Sequence, residues 1–210
     1  WYTTSNTYAI GVSTGDLNND GTKEIVTVGR YETGNTSYAG ELERYGQIKI
    51  WNHNGTALEL KYTYNWTVTP PPEEQPWWRG INGVTIEDVD NDGTKEIITV
   101  GHIWEHIYVE PWMGCYEGEL AIWNWTGTTL NQEKVQKWYT SKDTQINGVN
   151  TGDVDGDGIK EIITTGIYFD MDIWITWAQM RIWNWNGTTL TLENSKEWQE
   201  TSTVIRANSV

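Results

Sequence analysis

The chain has 210 residues, including 15 Trp, 11 Tyr and one Phe, and its formal net charge at pH 7 is −15. Aromatic and β-branched residues favour strands, so the composition excludes an all-α protein, and the acidic balance excludes a nucleic-acid-binding surface built on clustered Lys and Arg. No stretch approaches the roughly 18 consecutive apolar residues of a membrane-spanning helix, so no membrane insertion is expected.

Three copies of one unit follow one another along the chain, and the same four strands are predicted in each. A first short strand, such as 81–86, leads into an acidic loop, and a second, such as 96–100, is rich in β-branched residues and stops at Gly101. A third strand alternates in polarity, as in 47–51. The fourth, such as 57–62, follows an Asn-Gly-Thr or Thr-Gly-Thr turn of the kind that forms hairpins.

The repeat period is 72 residues from Asp16 to Asp88 and 65 from Asp88 to Asp153. Four strands in a unit of this length are typical of a β-propeller blade. The sequence therefore predicts an all-β fold of three four-stranded antiparallel propeller-type blades, incomplete as a lone closed propeller, which needs about four to eight blades. The chain is predicted to form one array over 1–210, with units at approximately 9–80, 81–145 and 146–206 and the start of a fourth at 207–210.

A nine-residue acidic loop joins the first two strands of each unit. Oxygen-bearing side chains stand at its first, third, fifth and ninth positions, and a glycine at the sixth permits a sharp turn. Alternate donors can converge on one point, and the seventh residue can add its backbone carbonyl. Hard oxygen donors in this number suit Ca²⁺ rather than Zn²⁺ or Cu²⁺. The predicted metal ligands are Asp16, Asn18, Asp20, Thr22 and Glu24; Asp88, Asp90, Asp92, Thr94 and Glu96; and Asp153, Asp155, Asp157, Ile159 and Glu161.

Two other interpretations of these loops compete with a calcium site. An EF-hand requires Glu at position twelve between two helices, whereas position twelve here is Thr27, Thr99 or Thr164 in a predicted strand. Asp, Asn and Gly also form ordinary turns. However, the loops hold 11 of the chain's 29 carboxylates, whose mutual repulsion opposes folding without a cation. The sequence therefore predicts about one Ca²⁺ per unit, three in all.

With its Asp-x-Asp/Asn-x-Asp-Gly-x-x-Glu loops, the sequence resembles the FG-GAP/VCBS repeat family over essentially its whole length. The resemblance implies a β-propeller with one Ca²⁺ per blade, in a secreted or surface-exposed protein that adheres or binds ligands without catalysis. The Phe-Gly and Gly-Ala-Pro signature of the integrin form is missing, which favours the broader VCBS-like branch.

Five Asn-x-Ser/Thr sequons are acceptor candidates for N-glycosylation in a secreted protein. They lie at Asn35, Asn54, Asn65, Asn124 and Asn186. Chance matches are expected in a chain rich in Thr and Asn, but Asn54 and Asn186 occupy the same predicted hairpin turn, where a glycan meets no steric conflict. We expect at least one sequon to be glycosylated and the protein to be extracellular or on the cell surface.

The segments in which the units diverge carry many aromatic residues. Exposed rings can stack on sugars or anchor a protein partner, and they can equally pack between blades or cover a sheet edge. The candidate ligand contacts are Trp104, Trp112, Trp174 and Trp177, accompanied by Tyr31, Tyr38, Tyr45, Tyr108, Tyr116 and Tyr168. The repeated Trp51, Trp123 and Trp183 are instead assigned to packing between blades.

No catalytic residue is predicted. His102-Ile-Trp-Glu-His106 matches the pattern of inverted zinc proteases, but that chemistry requires a helix and this segment continues a strand. Cys115 has no basic neighbour in sequence to activate it. A structural or surface role is expected for the histidine motif, and no catalytic role is expected for Cys115.

These observations favour a non-enzymatic calcium-binding propeller module that acts in adhesion or in recognition of a ligand, for which a glycan and a surface protein are the candidates. A second interpretation is a structural subunit. The chain begins and ends in nearly the same phase of the repeat, so head-to-tail contacts would build an extracellular filament, close an oligomeric propeller, or continue a longer one. A third is a polysaccharide-active enzyme, for which the sequence offers no defined acid and base pair.

Overall fold

A computed structural model of the chain describes residues 6–36, 42–66, 79–105, 115–138, 143–170 and 173–199. All regular secondary structure within these ranges is β. The strands are β1 (Thr7–Gly15), β2 (Glu24–Thr36), β3 (Leu42–His53), β4 (Leu58–Trp66), β5 (Arg79–Glu87), β6 (Glu96–Glu105), β7 (Cys115–Trp125), β8 (Leu130–Trp138), β9 (Asp143–Gly152), β10 (Glu161–Asp170), β11 (Ile175–Trp185) and β12 (Leu190–Trp198).

The twelve strands form three four-stranded antiparallel sheets, each with its strands in chain order. We call them blade 1 (β1–β4), blade 2 (β5–β8) and blade 3 (β9–β12). The predicted all-β fold of three propeller-type units is confirmed, and the described residues contain neither a helix nor a closed barrel. No helix in this part of the chain is therefore long and apolar enough to span a membrane.

The predicted stop of the second strand at Gly101 is wrong, because β6 continues to Glu105. Gly101 pairs with Ile81 beside a register shift between β5 and β6. A Cβ at this position would collide with the backbone carbonyl of Gly80. Glycine at this point permits a close backbone approach within the sheet and does not end the strand.

The hydrophobic core lies between the blades. One cluster joins blades 1 and 2 and a second joins blades 2 and 3. Blade 2 supplies both through the alternation of its strands, since Ile97 belongs to the first cluster and Ile98 to the second. Blade 2 is therefore covered on both faces, whereas blades 1 and 3 each have one outer face.

A pair of tryptophans marks each contact between blades. Trp66, at the end of blade 1, packs edge-on against Trp123 of blade 2 at 4.9 Å between ring centroids. Trp138 of blade 2 lies 5.1 Å from Trp183 of blade 3. The assignment of Trp123 and Trp183 to blade packing is confirmed. Trp51 has the same position in blade 1, but it faces away from blade 2 and is only partly buried.

Candidate metal sites at the blade junctions

The three acidic loops adopt one geometry. In each, the carboxylate at position one accepts a hydrogen bond from the backbone N–H of the glycine at position six, which has a positive φ of 87 to 92°. The carboxylate at position five accepts one from the backbone N–H at position seven, at 2.7 Å. These bonds curl each loop around its first carboxylate.

The glutamate at position nine begins the second strand and is buried in every blade. Its Oε2 accepts the backbone N–H of the second loop residue at 2.9 to 3.0 Å. The three glutamates are Glu24, Glu96 and Glu161. This bond holds the carboxylate beside the loop, because a buried charge needs hydrogen-bond donors to remain in place.

Two of the loops gather carboxylates closely enough to share a metal ion. Asp88, Asp90 and Glu96 each place one oxygen within 4.8 Å of the others, and Asp153, Asp155 and Glu161 do the same. Asp88 Oδ1 is also buried with no hydrogen-bond partner. Three close carboxylates and an orphaned oxygen fit a cation that accepts oxygen ligands.

The electrostatics of the second loop reflect burial and closely spaced carboxylates. Burial, aided by the neighbouring carboxylates of Asp90, Glu133 and Asp92, raises the pKa of Glu96 to about 8, although the backbone hydrogen bond from Val89 acts in the opposite direction. Burial also raises the pKa of Asp90. A bound cation would reverse these shifts, because it favours the ionised carboxylates.

Two acidic residues near these sites were missed by the sequence analysis. Glu133 in β8 and Glu193 in β12 are the extra residues of β-bulges, each opposite the step from an isoleucine to a tryptophan in the third strand. Burial raises the pKa of both. Carboxylates of the second loop add to the shift of Glu133, and those of the third loop add to that of Glu193. The sequence does show a glutamate three residues after Leu130 and again three residues after Leu190. It does not show the β-bulge, which is what directs these side chains toward the loops.

Blade 1 differs at the same positions. Its loop carries the amide of Asn18 at position three, and its bulge residue is Lys61, which pairs with Glu59 at 2.9 Å. With its amide oriented toward Glu24, Asn52 donates to Glu24 Oε1 at 3.2 Å. An asparagine replaces an aspartate at position three, and a lysine replaces a glutamate at the bulge. The first loop therefore has less negative charge to offer a cation than the other two.

The loops also contact neighbouring blades. Asn19 Nδ2 donates to the Gly93 carbonyl at 2.8 Å, which joins the first loop to the second. In the β11–β12 turn, a Cβ at Gly187 would lie 2.9 Å from Asp90 Oδ2. Glu87 accepts from Lys95 of the second loop at 2.7 Å and from Lys160 of the third at 2.9 Å. Burial would raise the pKa of Glu87, but the two lysines and the backbone N–H of Asp88 outweigh it and lower the pKa to about 2.

The aromatic residues of the divergent segments have different environments. Trp174 is 76% exposed and adopts a positive φ of 56° in the turn between β10 and β11. Trp177 is half-buried and stacks on Tyr168 at 6.1 Å. Trp104 lies in β6, but its side chain is outside the described residues, as is the whole of Trp112. Of the four candidates, only Trp174 is shown to present its ring to solvent.

The sequons lie in both turns and strands. Asn54 and Asn186 occupy equivalent hairpin turns and are exposed, and the side-chain carbonyl of each accepts from the following threonine. Asn65 is exposed in β4, and Asn124 is half-buried near the end of β7. Asn35 lies in β2, and its side chain is outside the described residues. N-glycosylation remains a prediction at all five.

His102 lies on a strand, so the helix that an inverted zinc protease needs is not formed at this residue. Asn82 Nδ2 lies 3.0 Å from His102 Nδ1, and the Tyr116 ring packs edge-on at 4.8 Å. Burial, followed by the charge of Arg30, lowers the pKa of His102 to about 4. Asn82 also donates to the Ile146 carbonyl at 2.8 Å, so this cluster joins blades 2 and 3. His106 lies outside the described residues, and so does the side chain of Cys115.

Neither a protein-family model nor a curated protein matches this chain. Solved structures of three rhamnogalacturonan lyases share its fold. The exotype lyase YesX matches 92% of the chain with a TM-score of 0.54 and 14% identity. The Bacillus licheniformis PL11 lyase matches 92% at 0.55 and 15%, and YesW matches 94% at 0.54 and 12%. The chain spans only 33 to 35% of these lyase chains, so the likeness establishes a shared fold with part of each.

Proposed function

We propose that this chain is a calcium-stabilised β-propeller segment of the FG-GAP/VCBS type, which acts in adhesion or ligand recognition outside the cell and has no catalysis of its own. The observation that carries the proposal is the acidic loop, repeated three times with the same internal hydrogen bonds and placed where the blades meet. Ca²⁺ is the ion that this donor set fits best, because it accepts six to eight hard oxygen ligands in flexible geometry.

The ion's role is to hold the blades in register. A cation bound by Asp88, Asp90 and Glu96 neutralises carboxylates that otherwise repel one another. The same loop touches the β11–β12 turn through Asp90 and the first loop through Gly93. Binding at the loop therefore stiffens contacts on both sides of blade 2, and it supplies part of the folding free energy.

Recognition is assigned to the divergent segments that these blades carry. Ile173 and Trp174 are exposed in the β10–β11 turn, with Phe169 packed edge-on against Trp174 at 5.8 Å. An exposed indole supported by a second ring offers a flat apolar surface of the kind that stacks on a sugar or fills a pocket of a protein partner. Trp174→Ala is the variant that tests this contact, because truncation removes an exposed ring and leaves the cores between the blades intact.

Thermal unfolding with Ca²⁺ and with excess EGTA tests the metal. Chelation is expected to lower the melting temperature by roughly 5 °C or more, because a ligand at 100 times its Kd contributes about 2.7 kcal/mol per site. Asp92→Ala should reproduce part of that loss in Ca²⁺. Isothermal titration calorimetry of the wild-type protein should detect Ca²⁺ binding directly.

The matched control is Thr94→Ala. Threonine at position seven is predicted to contribute only its backbone carbonyl, which alanine retains, so this variant should bind Ca²⁺ as the wild type does. An identical melt in Ca²⁺ and in EGTA, together with no heat of binding, would overturn the metal assignment.

A second candidate function follows from the three lyases. In this candidate, the chain is the corresponding part of a polysaccharide lyase, because it shares a fold with part of each lyase chain. An assay of rhamnogalacturonan cleavage, monitored by the ultraviolet absorbance of the unsaturated product, separates the two. Glycan binding without cleavage supports the recognition module, and turnover supports the lyase.

A further inference from the structure

The outer face of blade 1 has the composition of a contact between blades. Val12 and Val149 occupy the same position in their units, yet Val12 is 65% exposed and Val149 only 8%. Leu58 is 55% exposed, whereas its equivalent Leu130 is 7% exposed. In blades 2 and 3 this face packs against the preceding blade. The same apolar positions are therefore present on blade 1, where no blade among the described residues covers them.

The outer face of blade 3 is the complementary half of such a contact. Leu17 and Val89 are fully buried against the following blade, and Val154 at the same position of blade 3 is 55% exposed. Trp198 ends β12 as Trp66 and Trp138 end the fourth strands of the other blades. Trp198 pairs with Ala178, so its side chain lies on the same side of the sheet as those of Ala178, Met180 and Ile182. It is partly exposed.

The contact between blades 2 and 3 shows how such a tryptophan is held. Trp138 Nε1 donates to Gln179 Oε1 at 3.3 Å, its ring lies 5.1 Å from that of Trp183, and the Arg181 guanidinium stands over it at 5.1 Å. A cation also lies over the equivalent Trp66, where the guanidinium of Arg79 is 3.4 Å from the ring centroid. Blade packing therefore combines an aromatic contact with a cation–π contact.

Blade 1 carries the same receiving residues. Gln47, Lys49 and Trp51 stand at the positions of Gln179, Arg181 and Trp183, and Lys49 Nζ lies 5.8 Å from the Trp51 ring. Together with Tyr8 and Thr27, they line a cavity of about 230 Å³ on the outer face. This cavity offers an amide, a cation and an indole, which are the three groups that hold Trp138.

We propose that the outer face of blade 1 binds the outer face of blade 3 of a second copy of this chain, with Trp198 of that copy seated in the cavity formed by Gln47, Lys49 and Trp51. The docking continues the packing that joins the blades within one chain. At the rim, His53 replaces the Trp125 and Trp185 of the other blades, so the contact between copies buries less apolar surface than the internal ones.

The contact is head-to-tail, because each copy binds one neighbour through the outer face of blade 1 and another through the outer face of blade 3. Every copy then offers one free receiving face and one free tryptophan face until the assembly closes into a ring or grows further. The association uses Val154 of the third acidic loop but none of the predicted metal ligands, and it does not use the β10–β11 turn, so it is separate from the recognition role proposed above.

Analytical ultracentrifugation of the full chain in Ca²⁺, at physiological ionic strength and over a wide range of protein concentration, tests the proposal. The wild type is expected to associate as its concentration rises. Trp198→Ala removes the inserted ring and Lys49→Glu replaces the cation over it, so each variant should be monomeric. Lys49→Arg is the matched control and should associate, because blade 3 carries arginine at this position.

A mixture of the two disabled variants provides a sharper test. Trp198→Ala keeps an intact receiving face and Lys49→Glu keeps an intact Trp198, so an equimolar mixture should form heterodimers and nothing larger. Circular dichroism confirms that each variant is folded. A wild type that stays monomeric, an association that neither variant weakens, or a mixture that stays monomeric would each overturn the proposal.

Discussion

Glutamate has two distinct positions around the acidic loops. At position nine, Glu96 is fixed by the backbone N–H of Val89 and is buried before any ligand binds. Glu133 approaches the same loop from β8 through a bulge and is exposed. Because the second loop already concentrates four carboxylates, Glu133 adds repulsion in the absence of a cation and attraction in its presence.

Glu133→Gln is therefore expected to act in opposite directions in the two conditions. In EGTA the variant should melt about 2 °C higher than the wild type, because it removes like-charge contacts of roughly 0.5–1 kcal/mol. In Ca²⁺ it should bind the ion several-fold more weakly at the second loop. Differential scanning calorimetry and calcium titration measure the two effects.

The control for Glu133→Gln is Glu59→Gln in blade 1. Glu59 is an exposed carboxylate that pairs with Lys61, so its neutralisation removes an attraction and should not raise the melting temperature in EGTA. A Glu133→Gln variant that is less stable than the wild type in both conditions would contradict the proposed repulsion.

At the scale of the element, the first two strands of every blade meet at a register shift that depends on glycine. Gly29, Gly101 and Gly166 pair beside the shift, and a Cβ on any of them would collide with a backbone carbonyl of the first strand. In blade 2, Asn82 is the residue of the first strand at which the register shifts. Its side chain donates a hydrogen bond to the carbonyl of Ile146 on the next blade. The glycine thus helps position a contact between blades.

Gly101→Ala is expected to lower the free energy of unfolding by roughly 3 kcal/mol, because the backbone of Gly80 cannot move without disturbing the sheet. Gly152→Ala is the matched control, since a Cβ there meets nothing within 4 Å and the residue does not have a positive φ. It should be neutral or slightly stabilising. Urea unfolding measures both, and equal stability of the two variants would contradict this account.

The strand pattern and the loops were predictable because three copies of the same local signals reinforce one another. Period-two alternation located β3 and β11, and the alternating carboxylates pointed to the close acidic clusters of the second and third loops. Three features were not predictable. The end of a strand depends on its pairing partner, as the continuation of β6 past Gly101 shows. A bulge such as that at Glu133 depends on the neighbouring strand. The exposure of Trp51 depends on whether another blade packs against it.

For the whole molecule, the arrangement resembles a stack in which each blade is stabilised by its neighbours. Blade 2 contributes to both hydrophobic clusters, while blades 1 and 3 contribute to one each. The free energy of unfolding of such an array is approximately the sum of the intrinsic stability of each unit and the energy of the contacts between adjacent units. The middle blade should therefore open least often, and the outer blades should open first.

Hydrogen–deuterium exchange measures this gradient directly. In dilute protein with Ca²⁺, the amides of β6 and β7 should exchange most slowly, because both faces of blade 2 are covered, and those of blades 1 and 3 should exchange faster. Equal protection of the three blades at high dilution would contradict the gradient, since it would mean that the array opens as one unit.

If copies associate through Trp198 and the cavity of Gln47, Lys49 and Trp51, raising the protein concentration covers both outer faces. Protection of blades 1 and 3 should then approach that of blade 2 in the wild type and in Lys49→Arg, and stay low in Lys49→Glu.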